Sequence, residues 1–175
     1  MLNTKWLWVL LFPFFVSCGS TFIADYEKET DFSKYTSYNF YPSIDSGLNE
    51  LDNKRIINAI DSLLLQKNFV KSDNPQILIN FFTKETLTQS RNTLGIGIGS
   101  GGGNVGIGVS GGIPIGGNTI EQQFTLDFID AEKDVLIWQG KAESSYKEKA
   151  TPQQKENYYF SIIQKLLKKY PPASK

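Results

Sequence analysis

The sequence predicts an α+β domain: an antiparallel sheet, two helices packed on one face, and a glycine-rich hairpin or flap inserted between strands. Three observations carry this. Ile120, Gln122, Phe124, Leu126 and Phe128 alternate with Glu121, Gln123, Thr125 and Asp127, the period-two pattern of a sheet with one wet face. Two stretches repeat apolar residues at helical spacing behind recognisable caps. Those helices stand apart from the strand pairs instead of alternating with them.

The chain opens on Lys5, an apolar run from Trp6 to Val16, and then Ser17-Cys18-Gly19-Ser20. A basic residue, a short apolar core and a small residue at the cut site make a secretory signal. The run is eleven residues long and Pro13 interrupts it, whereas a spanning helix needs about 17–25. A cysteine directly after the small residue makes this the lipoprotein form of the signal, with Cys18 acylated as first residue of the mature chain. Phe15 departs from the aliphatic residue usual at its position. The other reading is an ordinary secretory signal with Cys18 a stray thiol. Cys18 is the only cysteine, so it has no internal disulfide partner, and acylation explains its presence. Two or three acyl chains on one residue anchor stably where a single chain does not. Gly19, Ser20 and Thr21 carry no acidic residue, which favours an outer-membrane lipoprotein facing the periplasm.

Residues 1–17 are therefore expected to be the signal peptide and 18–30 a lipidated tether or a first short strand. Residues 31–175 are expected to form one domain. After Asp31-Phe32-Ser33-Lys34-Tyr35, the aromatics of Ser37-Tyr38-Asn39-Phe40-Tyr41 favour a strand that Pro42 ends. Asn49 can cap a helix over about 50–67, with Asp52 three residues on. Ile56, Ile57, Ile60, Leu63 and Leu64 form its stripe, and Lys67-Asn68 stops it. Ile77 to Phe82 is a dense strand. Asp130 to Asp134 makes a hairpin loop, and Val135 to Trp138 begins the return strand. Thr151, Pro152 and Gln154 make a capping box for the last helix. Its stripe is Tyr159, Ile162, Ile163, Leu166 and Tyr170, and Pro171-Pro172 closes it.

All but three of the fifteen glycines lie between Gly95 and Gly117. Gly97-Ile98-Gly99-Ser100-Gly101-Gly102 matches the spacing of a dinucleotide loop, but more glycine and Pro114 follow where a helix is required. No phosphate loop with Gly-Lys-Ser/Thr exists either, so nucleotide binding is excluded. Leu94, Ile96 and Ile98 instead share one strand face, as do Val105, Ile107 and Val109, with glycine behind each set. Gly101-Gly102-Gly103-Asn104 can turn the chain between them. Ordering so many glycines has a high entropic cost, so the segment reads as a flexible flap. Its alternative is a contact surface, through Ile96, Ile98, Val105 and Ile107, that orders on binding.

Composition narrows function further. Eighteen basic residues balance eighteen acidic ones, so the electrostatic footprint of nucleic-acid binding is missing. There is no histidine. That removes Ser-His-Asp and Cys-His catalysis, the common zinc sites and histidine haem ligation. No catalytic, cofactor or metal residues are expected. An enzyme would have to run on carboxylates, Lys, Tyr or Ser alone.

Five stretches together resemble the bacterial envelope lipoproteins called "domain of unknown function 4136". They are Asp31 to Tyr38, Ile56 to Phe69, Leu126-Asp127-Phe128-Ile129-Asp130-Ala131, Leu136-Ile137-Trp138-Gln139-Gly140 and Lys169-Tyr170-Pro171-Pro172. They cover about residues 25–172, and the opening motif and the Asp-Ala…Trp-x-Gly hairpin are the most specific. The resemblance implies an envelope lipoprotein without an established activity, and it carries over no catalytic residues.

Asp127, Asp130 and Trp138 are the remaining site candidates. Asp127 is expected to face water, Asp130 to shape its turn and Trp138 to pack in the core. The leading expectation is a non-enzymatic binding or assembly module, with the membrane as partner through Cys18 and an envelope protein as the second partner. The alternative is a carboxylate-dependent hydrolase of envelope glycan. Such an enzyme needs two carboxylates about 5–10 Å apart, whereas Glu121 and Asp127 lie about 20 Å apart at strand rise.

Overall fold

The computed structural model describes residues 20–89, 93–94, 113–114 and 117–172. Strand β1 (Thr21–Tyr26) leads through a 3-10 turn (Phe32–Lys34) to β2 (Ser37–Phe40) and helix α1 (Glu50–Gln66). Then come β3 (Val70–Lys71), β4 (Ile77–Thr88), β5 (Thr93–Leu94) and β6 (Ile113–Pro114). The long pair β7 (Thr119–Asp130) and β8 (Val135–Lys147) follows, and helix α2 (Pro152–Leu167) closes the chain.

Both helices begin where the local chemistry places them. Asn49 accepts the Asp52 amide at 3.0 Å, and its own side-chain amide donates to the Asp52 carboxylate at 2.8 Å. Thr151 and Gln154 form the reciprocal capping box, with Pro152 in the first turn. α1 stops at Lys67 and Asn68, the latter at φ +62° in the left-handed region asparagine tolerates.

The main sheet has six strands in the order β1-β8-β7-β4-β2-β3. Its central ladders are antiparallel, yet β2 runs parallel to both β3 and β4. The sheet is mixed, which corrects the expectation of an antiparallel one. The reason is topological: α1 carries the chain from β2 back to the starting edge, and such a crossover delivers parallel neighbours. Residues 21–26 pair with β8 along their whole length. The tether expected over 18–30 therefore gives way to its short-strand alternative, and the domain starts before Asp31.

One sheet face is apolar. Ile77, Ile79 and Phe81 on β4 and Phe124, Leu126 and Phe128 on β7 are buried against Ile56, Ile60 and Leu64 of α1 and Tyr159, Ile163 and Leu166 of α2. Burying a side chain of this size stabilises by about 1.5–3 kcal/mol, so this shared layer holds the fold. The two residues of β5 pair with the two of β6 as a separate ladder. The segment over residues 95–117, expected to be a glycine-rich hairpin or flap, lies outside the described residues apart from 113–114 and 117.

Candidate functional site

The helices cover one face of the sheet, and among the described residues no helix or strand packs on the other. Strand pleating sends alternate residues there. One transverse row reads Ile23, Lys141, Thr125 and Phe82; the next reads Asp25, Gln139, Asp127 and Asn80. A third, Thr21, Glu143, Gln123 and Lys84, lies toward the start of β7.

The depressions found among the described residues gather on this face and its β1 edge. One of about 250 Å³ sits between Ile23, Phe82, Lys84, Thr125, Lys141 and Glu143. Another, about 280 Å³, lies between Tyr41, Asn80, Asp127, Ile129, Asp134 and Leu136. A third of about 380 Å³ adjoins Glu121, Gln123 and Ser145. Lysine, glutamate and exposed aliphatics mix here, with Ile23 56% and Leu136 50% exposed.

Asp127 departs from expectation. It is on the helix-free face but only 8% exposed, so it does not face water. Its Oδ1 accepts a 2.7 Å hydrogen bond from Gln139, the residue opposite it on β8. Burial pushes its carboxyl above the ordinary range, and the Gln139 bond opposes that shift. Glu121 remains on the same strand, six residues away.

Asp130 shapes its turn as expected and also reaches beyond it. Its Oδ1 accepts the amides of Glu132 and Lys133 at 3.0 and 3.1 Å, while Oδ2 accepts the Tyr35 hydroxyl at 2.6 Å. The Tyr35 bond chiefly holds this carboxyl below its ordinary value. Lys34 stands 3.7 Å away. The segment Asp31 to Tyr35 thereby pins the hairpin between β7 and β8, and Phe32 packs edge-on against Tyr26 and Tyr170. Trp138 is fully buried against Phe128 and Tyr170. The residues that make the opening and closing motifs recognisable thus serve packing.

Two polar contacts lie beyond what the sequence reading assigned: the bridge that Asp52 makes in addition to its place at the α1 cap, and the bonds of Glu85. Asp52 is 1% exposed and receives Lys155 at 2.8 Å and Arg55 at 2.6 Å, joining the starts of α1 and α2. Burial pushes its carboxyl up, but bonds from Lys155, Asn49 and Arg55 outweigh burial and hold it below the ordinary range. Nearby, Glu85 accepts from Gln122 at 2.7 Å and from Tyr146 at 2.9 Å, beyond the reach of the apolar core. The helix-free face was also missed in its extent. Continuing the alternation through residues 82–86 and 139–145 would have outlined it.

Cys18 and the four residues Ile96, Ile98, Val105 and Ile107 lie outside the described residues. Among the described residues no group of three or more Asp, Glu, His or Cys could hold a metal ion. No described helix is long and apolar enough to cross a membrane.

No curated protein matches the chain. A PDZ domain protein from Parabacteroides distasonis ATCC 8503, known from its crystal structure, is similar at 18% identity and a TM-score of 0.55. The match covers 88% of this chain but spans only 36% of that protein's, and at this identity it shows the fold alone. The PelC dodecamer from Paraburkholderia phytofirmans is similar at 11% identity and a TM-score of 0.45, covering 85% of this chain and 95% of that one. The family model described as "Domain of unknown function (DUF4136)" matches residues 23–172, and with nearly the whole described domain inside that match the chain belongs to this family.

Proposed function

We propose that the protein is a non-enzymatic binding or assembly module, held to the outer membrane by acyl chains on Cys18 and facing the periplasm. The observation that carries the binding half is the helix-free sheet face with its row of small depressions. Its side chains alternate cation, anion and aliphatic, the mix that suits a folded protein surface rather than nucleic acid.

The chemistry of the buried acids supports the same reading. Asp52 is held by two cations, Asp130 by Tyr35 and turn amides, and Asp127 by Gln139. Each is committed to holding the fold. Glycan hydrolysis instead asks for two carboxylates facing each other across a cleft, and Glu121 and Asp127 lie along one strand.

A photo-crosslinking residue in place of Ile23 or Lys141, in intact cells, tests the assignment. Discrete protein adducts from these positions, and none from a probe at the exposed Leu65 of α1, are expected. Adducts from Leu65 alone would contradict the placement of the contact.

A further inference from the structure

We infer that the depression between Tyr41, Asn80, Asp127 and Leu136 is a pocket for a lysine side chain of the partner protein, an ammonium on an aliphatic stem. The assignment rests on the helix-free face being the contact surface, and it names the chemistry which that surface reads.

Three carboxylates are buried among the described residues: Asp52, Asp127 and Asp130. A buried carboxylate is costly unless a cation or several donors compensate it. Asp52 has Arg55 at 2.6 Å and Lys155 at 2.8 Å. Asp130 has the Tyr35 hydroxyl, two backbone amides and Lys34 at 3.7 Å. Asp127 has only the neutral Gln139 amide on Oδ1, and among the described residues nothing donates to Oδ2. The ion pairs of the described residues fall on Asp52, Asp61 and Asp130. Lys141, diagonal to Asp127 on β8, acts on it only at longer range. Burial accordingly raises this carboxyl, while the other two are held low by their partners.

The surroundings select a cation, and one kind of cation. Asp127 and Asp134 line this depression of about 280 Å³, and no basic side chain does. Asn80 stands opposite Asp127 on β4, and its carbonyl and the Tyr41 hydroxyl are further acceptors on the wall. Gln139 already holds one carboxylate oxygen, so the paired acceptors that a guanidinium fork matches are missing. A compact ammonium with three donors fits instead. Ile129 and Leu136, the latter 50% exposed, give its methylenes an apolar wall. The neighbouring depression beside Ile23 mixes Lys84 and Lys141 with Glu143 and has no such uncompensated charge.

The test titrates the full chain, isotope-labelled and kept in a non-ionic detergent, with N-acetyl-lysine methylamide while backbone amide NMR shifts are read. The norleucine and arginine analogues of this probe separate apolar contact and cation shape from the ammonium itself. Saturable shifts at Asn80, Asp127 and Leu136 from the lysine probe, at millimolar concentration, and weaker ones from the other two are expected. Asp127→Asn, which keeps the Gln139 bond, should weaken binding about tenfold, the worth of one charge-assisted hydrogen bond. Asp134→Asn, at a turn position whose left-handed backbone asparagine tolerates, should weaken it less. Equal affinity for the norleucine probe would make the pocket merely apolar, and tighter binding of the arginine probe would make it a guanidinium site. Unchanged affinity in Asp127→Asn would take the carboxylate out of it. Each of these overturns the inference. Absent shifts, with crosslinks still formed from Ile23 and Lys141, overturn the pocket and leave the contact face standing. Shifts without any crosslinks sustain the ammonium pocket and overturn the contact face.

Discussion

A methyl group added at Gly140 would stand 2.6 Å from the Trp138 ring and 3.2 Å from Leu166. Trp138 and Gly140 are two apart on β8, so their positions share a sheet face, and the indole lies over the space that glycine leaves. The Trp-x-Gly signature is therefore a packing pair. Gly140→Ala is expected to lower stability by about 1–3 kcal/mol, the usual cost of overpacking, and Trp138→Ala by about 3–5 kcal/mol. Chemical denaturation of both variants checks this, and an unchanged midpoint for either contradicts it. Asp127 carries a different expectation. Its folded carboxyl is raised, so the unfolded chain ionises first as pH rises, and stability falls between the ordinary and the raised value. Asp52 and Asp130 are lowered and act oppositely. Their contribution is present above the ordinary carboxylate pKa and disappears as acid protonates them at their lower folded values. Asp127→Asn keeps an acceptor for Gln139 and removes the buried charge. It is expected to stabilise at about pH 7 and to change little at about pH 3, where Asp127 is already neutral. Urea melts at the two pH values decide, and a loss of stability at neutral pH would contradict the account.

At the scale of elements, legibility followed locality. The α2 cap was readable because Thr151, Pro152 and Gln154 act on their own turn, and the α1 stop because Asn68 takes the left-handed conformation itself. β4 was readable to Phe82, where dense apolar residues end. Its polar continuation through Lys84, Glu85 and Thr86 is held by pairing with β7, which leaves no hydrophobic trace. The parallel placement of β2 beside β4 was hidden because a crossover, not the strand's own residues, decides direction. The insertion is also an element-scale matter. β4 and β7 pair without interruption up to Thr88 and Thr119, so the main sheet closes before the glycine segment begins. Deleting residues 95–117 and joining the flanks with a short turn is expected to leave the domain folded. The stability change should be small, about 0–2 kcal/mol, because the lost aliphatic burial is offset by the entropy of the glycines. Circular dichroism and thermal melting check this. A deletion protein that fails to fold would make the segment integral to the sheet.

For the whole molecule, the helix-covered face explains stability, and the proposed function assigns contact to the helix-free face. The first was legible as apolar stripes. The second was not, since a surface of mixed lysine, glutamate and scattered aliphatics has no periodic hydrophobic signal beyond the alternation itself. Asp127 shows the limit most clearly: its parity placed it on the correct face, but its burial depends on neighbours from other strands. The proposal as a whole joins this contact face to an anchor three residues before β1, and the most direct test separates anchor from fold. Cys18→Ala is compared with the unaltered protein by membrane fractionation after a salt wash, alongside a thermal melt of the same preparations. The account predicts that the variant leaves the membrane fraction while its melting temperature stays the same, because acyl chains outside the domain contribute nothing to the buried layer. A variant that still sediments with membranes would contradict it.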